Sequence, residues 1–201
     1  MQAPERFNDN VLQAAFELIS KNGLRNVSIS MIAETAEVDE SQVSGPYPGI
    51  EQVAIAALRH LVKNTTSAMQ LKYQNKVPSL DLVQTTIDEF FTEFIEDDTY
   101  VSFFIELTYA ASNDPAMIKD LSKFKEEQNR LLLEMIHTSL GPLKDFFEIP
   151  FEKMVFTAET IFLGLMRQGA LQGDREYLRK EFNNMKELLT RGLMSFIKLT
   201  G

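Results

Sequence analysis

This chain of 201 residues has no cysteine and no tryptophan. Without thiols, neither a disulfide framework nor a thiolate metal site can form. Histidine occurs twice, as His60 and His137. Two distant imidazoles build no Ser–His arrangement, and no His/Asp/Glu spacing suits a metal. Neither G-x-S-x-G, a P-loop nor G-x-G-x-x-G occurs. The expectation is therefore a protein that is not an enzyme, with no cofactor and no metal. No apolar run approaches the roughly 18 residues of a membrane span. The first thirty residues lack the basic-then-apolar pattern of a leader peptide. A cytoplasmic setting with no membrane partner is expected. Positive charge is also scarce: 20 Lys and Arg stand against 29 Asp and Glu, a net −9. Such a chain is a poor generic polyanion binder unless its basic residues cluster. They do not cluster early, where residues 1–60 hold Arg6, Lys21, Arg25 and Arg59 against eight acids.

What is present is helical periodicity. Apolar residues make up 44 % of the chain, enough for a sizeable core. Leu12, Ala15, Phe16 and Ile19 fall on one stripe over residues 8–22, and Gly23 follows as a stop. Ser28 can cap a short helix whose inner face carries Ile29, Ile32 and Ala33. A short helix follows Asp39. A long one is predicted over 50–74, with Val53, Ala56, Ala57 and Leu61 inward. After a break around Pro78 come helices at about 79–96, 98–111, 115–138, 151–172 and 175–198. No β-alternation of useful length and no internal repeat occurs. The fold class is all-α, with about nine helices. The organisation is a three-helix head, residues 1–48, and a larger helical body, residues 49–201. The last two helices follow each other closely and should pack antiparallel. Their stripe, including Phe156, Leu163, Phe182, Met185, Leu189 and Leu193, fits ordinary core or a homodimer face that pairs two hairpins into a four-helix bundle.

The stretch "VLQAAFELISKNGLRNVSISMIAETAEVDESQVSGPYPGIEQV" follows without a gap the pattern "IL.AA..L....G...TS...IA..AGVS...LY.HF..KE.L". The matching positions are Leu12, Ala14, Ala15, Leu18, Gly23, Ser28, Ile32, Ala33, Ala36, Val38, Pro48 and Glu51. That pattern opens the tetracycline-repressor (TetR) family of bacterial regulators, which this sequence resembles. "NDPAM" and "FLGLMRQGAL" suit the later helices of the same architecture. The resemblance implies a transcriptional regulator with a helix-turn-helix head, a ligand pocket in the body and a homodimer interface. Ligand binding would shift the two heads and release operator DNA.

The departures from the pattern fall on the DNA-facing positions. The turn glycine is Glu37. The family's aromatic pair and histidine fall on Ser44, Gly45 and Pro46, and its lysine on Ile50. Pro46 should stop the recognition helix near Ser44 and push Gly45 out of helical angles. No lysine or arginine occurs between Asn26 and Arg59, although phosphate contacts supply most non-specific affinity. The remaining candidates for DNA contact are Arg25, Ser28, Ser30, Gln42, Ser44 and Tyr47; glutamine can pair with adenine. Two readings stay open here: an unusual working repressor, or a relative that no longer binds DNA and acts through a protein partner. A small-molecule-binding or catalytic helical protein is a third.

For the pocket, the resemblance points to the Phe- and Met-rich body. The candidates are Phe90, Phe94, Tyr100, Phe103, Phe104, Met117, Met135, Phe162 and Met166, with Glu106 and Arg167 as polar contacts. Such a lining suggests a small apolar or aromatic ligand. The same spacing also fits core packing.

Overall fold

The computed structural model describes residues 4–73, 75–79, 81, 82, 84–86, 88, 89, 92, 98–142, 151–172 and 175–195. Among these the chain is all-α. Eight helices are α1 (Pro4–Asn22), α2 (Ile29–Thr35), α3 (Glu40–Ser44), α4 (Ile50–Tyr73), α5 (Asp98–Ala111), α6 (Pro115–Leu140), α7 (Phe151–Gln172) and α8 (Arg175–Ser195). One turn of 3-10 helix, Leu24–Asn26, follows α1. The described residues of the 81–92 segment are helical as well.

Local chemistry sets several of these boundaries. Helix α1 buries Leu12, Ala15, Phe16 and Ile19 and stops where Gly23 turns to φ 80. The Gly23 N–H closes the last turn on the Ile19 carbonyl at 2.8 Å. Asp114 caps α6, its Oδ1 accepting from the amides of Ala116 at 2.8 Å and Met117 at 3.2 Å. Pro115, with no N–H to leave unsatisfied, suits the first turn. After α6, Gly141 takes φ 52, and a Cβ there would stand 2.8 Å from Pro78 Cγ. Glycine is required at that point both by the backbone angle and by the approach of the proline.

The chain divides into two compact units. One comprises 1–64 and 97–125, the other 65–96 and 126–201. Helix α1 packs on α2 and, more extensively, on α5, a helix far along the sequence. Phe16 meets Phe103 edge to face at 5.0 Å, and Phe103 is fully buried. Burying a phenylalanine contributes about 1.5–3 kcal/mol. That contact makes α5 part of the first core. Val53, Ala54, Ala57, Leu58 and Val62 supply the buried face of α4, while Ala56 and Leu61 are half-buried. In the second unit α7 packs on α8. No helix among the described residues is long and apolar enough to cross a membrane.

Candidate functional site: a helix-turn-helix and a polar cleft

The Ser28 side chain starts α2, accepting from the Met31 amide at 3.3 Å. Ile32 and Ala33 bury one face. The helix ends in a pair of closing bonds: Val38 N–H to the Ala33 carbonyl at 2.9 Å, and Glu37 N–H to the Glu34 carbonyl at 3.2 Å. This 6→1 and 5→2 pattern needs a left-handed residue between the helices. Glu37 provides it at φ 56, the only non-glycine residue with positive φ among those described. The turn thus forms in spite of the missing glycine.

Helix α3 then opens at Asp39, whose N–H donates to Gln42 Oε1 at 3.0 Å. Val43 is its one buried residue. The helix ends at Ser44 as Pro46 requires. Gly45, however, keeps helical angles, φ −63 and ψ −55, contrary to the effect expected of the following proline. The clash that disfavours this conformation sets the proline Cδ against the preceding backbone N–H and Cβ, and glycine, with no Cβ, escapes the second part. Its N–H bonds to the Ser41 carbonyl at 3.0 Å, and Tyr47 N–H to the Val43 carbonyl at 3.1 Å.

The six candidate DNA contacts are placed differently from one another. Ser30 and Ser44 are exposed and Tyr47 is half-buried. Ser28 serves as the α2 cap, and the carbonyl oxygen of Gln42 is engaged by its own helix start. Arg25 is exposed, with its guanidinium 5.6 Å above the Tyr109 ring. Tyr109 itself is 60 % exposed, and nothing in the sequence pointed to this pairing. Around them Asp39 and Glu40 are exposed, with no basic residue from 26 to 58 to offset them.

The pocket candidates fall in both units. Tyr100, Phe103, Phe104, Glu106 and Met117 belong to the first unit, and Met135, Phe162, Met166 and Arg167 to the second. Tyr100 stacks on Phe104 at 6.4 Å and is buried, which pushes its phenol above the ordinary tyrosine range. Phe103 and Met117 are core. Glu106, expected as a polar ligand contact, accepts the Leu24 N–H at 3.1 Å. Its carboxylate lies 3.2 Å from where a Gly23 Cβ would be. Met166 is buried and Arg167 exposed. Phe90 and Phe94 lie outside the described residues, as does the Phe162 side chain. His60, midway along α4, meets Asn64 at 2.9 Å and Asp9 at 3.5 Å.

The second unit holds a cleft of about 760 Å³. It lies among the last turns of α4, the 81–92 segment and the end of α6. Met69, Tyr73 and Met135 are buried in its walls; Ser67, Gln70, Glu134, His137 and Thr138 supply polar groups. Buried Thr86 and Ser139 also line it, with hydroxyls 3.5 Å apart. Only Met135 of these was a sequence candidate. Helical spacing marked faces, but that the ends of α4 and α6 line one cleft is a long-range fact. In the same unit, Lys72 bonds to Glu89 and Lys186 pairs with Asp88 at 2.8 Å. Burial raises the Glu89 carboxyl, but the hydrogen bond and charge of Lys72 outweigh it and hold the group below its ordinary range. Burial, with the Glu89 charge adding to it, pushes the Tyr73 phenol up. Among the described residues no three His, Asp or Glu side chains are grouped as metal ligands.

Of the α7–α8 stripe, Phe182 and Met185 are buried within a single chain. Leu163 is half-buried and Phe156 is 57 % exposed. Ile161 and Leu188 join Phe156 on the exposed surface. The side chains of Leu189 and Leu193 lie outside the described ones.

No family model matches the sequence. The chain is 21 % identical over 178 residues to the HTH-type transcriptional regulator CymR of Pseudomonas putida, covering 89 % of this chain and 86 % of that protein. Its fold is that of a TetR transcription regulator from Haloarcula marismortui: TM-score 0.74, 15 % identity, 96 % of this chain and 100 % of the other. It is also similar to the multidrug binding protein EbrR complexed with ethidium, at TM-score 0.61 and 18 % identity, covering 91 % and 99 %. The all-α TetR-type architecture anticipated from the N-terminal pattern is the one the chain adopts.

Proposed function

We propose that this chain, which has the fold of the TetR-type regulators, is a ligand-responsive transcriptional regulator that works as a cytoplasmic homodimer. The observation that carries this reading is the α2–turn–α3 unit. Its 6→1 closure from Val38 to Ala33 holds the two helices in a helix-turn-helix, with Ile32, Ala33 and Val43 inside and Ser30 and Ser44 outside. In this reading Ser30, Ser44 and Tyr47 meet the duplex with Arg25 at the flank. The hairpin of α7 and α8 forms the dimer face through its exposed side chains. The cleft of the second unit takes the ligand, a small molecule with an apolar or aromatic body. EbrR, which binds ethidium, supports a small-molecule role for this fold.

A second reading is favoured by a different observation. Gln42 and Ser28 serve as helix caps, and α3 carries Glu40 and no cation. A head so built keeps the fold while acting through a protein partner in place of an operator. Both readings are tested by fluorescence anisotropy of the purified protein with labelled duplex from its own upstream region, scanned from low salt to physiological salt. Tight binding that weakens steeply with salt supports the operator reading. No binding at low salt, to this or to random duplexes, supports the partner reading and overturns the first.

A further inference from the structure

The cleft of the second unit has a charge character that the apolar candidates from the sequence did not carry. Among the described residues lining it there is no lysine and no arginine. Its one formal negative charge is Glu134, whose side chain is 57 % exposed. The hydroxyls of Ser67, Thr86, Thr138 and Ser139, the Gln70 amide and the His137 imidazole complete the polar lining. The apolar walls are the two methionines, Leu71 and the Tyr73 ring, polarizable surfaces that suit a flat organic molecule. Two described lysines close to it in sequence stand outside the lining and are matched. Lys72 lies 5.6 Å from the Tyr73 ring centre and bonds to Glu89, and Lys186 pairs with Asp88. Arg130 approaches Glu134 no closer than 4.0 Å, an exposed pair on one helix turn. Such pairs are weak, so the Glu134 charge is left available to a ligand.

An anionic ligand entering this cleft loses hydration and gains no lysine or arginine from the described lining; it also meets a carboxylate. A cation loses hydration too, but gains Glu134, the hydroxyl oxygens and the methionine and tyrosine surfaces. A volume of about 760 Å³ lies within the range of sites for drug-sized molecules. We infer that this cleft binds a flat, amphiphilic organic cation, with Glu134 as the charge partner at the mouth and Met69, Tyr73 and Met135 as the walls. The inference deepens the ligand-responsive reading by assigning the ligand's charge class, and the binding can be measured without DNA.

Rhodamine 123 and fluorescein are xanthene dyes of similar size and opposite charge. Their fluorescence anisotropy is followed as the full-length protein is titrated in, with no DNA present. Rhodamine 123 should bind and fluorescein should not. Glu134→Gln should weaken rhodamine binding by roughly two- to fivefold, the scale of one exposed charge pair. Ser67→Trp, on an exposed position of the lining, should fill the mouth and abolish binding with the thermal midpoint unchanged. Failure of both dyes to bind, or fluorescein binding as tightly as rhodamine 123, overturns the inference. So does rhodamine binding indifferent to Ser67→Trp, which puts the dye elsewhere. Loss with Ser67→Trp but none with Glu134→Gln overturns the charge assignment. A cation bound in the cleft by a protein that ignores every duplex would leave this inference standing and remove the operator reading alone.

Discussion

At the residue scale, two backbone positions decide the head. Glu37 adopts the left-handed conformation that the turn demands, at a cost of about 1–2 kcal/mol relative to a residue without a Cβ. It is exposed, so no packing is lost on its replacement. Glu37→Gly should therefore raise stability by up to about 1 kcal/mol, the remainder being offset by the greater freedom of glycine in the unfolded chain. Urea unfolding of the two proteins measures this directly, and a lower midpoint for the variant contradicts it. Gly23 is the opposite case. It combines φ 80 with the Glu106 carboxylate 3.2 Å from where a Cβ would stand. Gly23→Ala should destabilise by about 1–2 kcal/mol from the backbone angle alone. It should also loosen the Leu24–Glu106 hydrogen bond, visible as faster amide exchange at Leu24.

At the element scale, α3 shows how a short helix survives a proline two residues past its end. Its start is held by the Asp39–Gln42 bond and its end by Gly45, which tolerates the helical angle that a side chain would resist. What the helix lacks is positive charge. Glu40→Lys with Ile50→Lys should raise non-specific duplex affinity and steepen its salt dependence, by a slope of about 0.9 for each phosphate newly contacted. Unchanged binding in a salt titration would mean that this face of the head does not approach DNA. Helix α2 depends on its cap in a similar way. Ser28→Ala should cost about 1 kcal/mol, read as a lower thermal midpoint, because the Met31 amide then loses its acceptor.

At the scale of the whole molecule, the exposed apolar side chains of α7 and α8 bear on assembly. Phe156 and Leu188 are 57 % and 72 % exposed. A charge at either position costs little in an isolated chain but much inside a dimer interface. Phe156→Arg with Leu188→Arg should give a folded monomer by light scattering; a dimer that persists would remove this face from the proposed interface. The Lys72–Glu89 pair adds a pH dependence to the second unit. Because the Glu89 carboxyl is held below its ordinary range when folded, its contribution is present above the ordinary carboxylate range and is lost as pH falls through the lowered value. Thermal midpoints of the native chain and of Glu89→Gln should accordingly draw together on acidification. Glu89 is part-exposed, so solvent screening keeps the effect small.

The sequence by itself determined the helices and their stops. The stripe of α1 with Gly23, the Ser28 cap, the left-handed turn at Glu37 and the end of α3 near Ser44 are all consequences of neighbours within about five positions, where backbone angles and capping groups act. It also carried the architecture, through a head pattern and a run of amphipathic helices. The tertiary structure decided which faces meet. That Phe103 and Glu106 belong with α1 and the Leu24 amide, that Phe182 and Met185 are buried without a partner chain, and that α4 and α6 enclose a polar cleft are results of long-range packing. An apolar stripe states that a face is buried but not against what, since burial is non-directional and any complementary surface satisfies it.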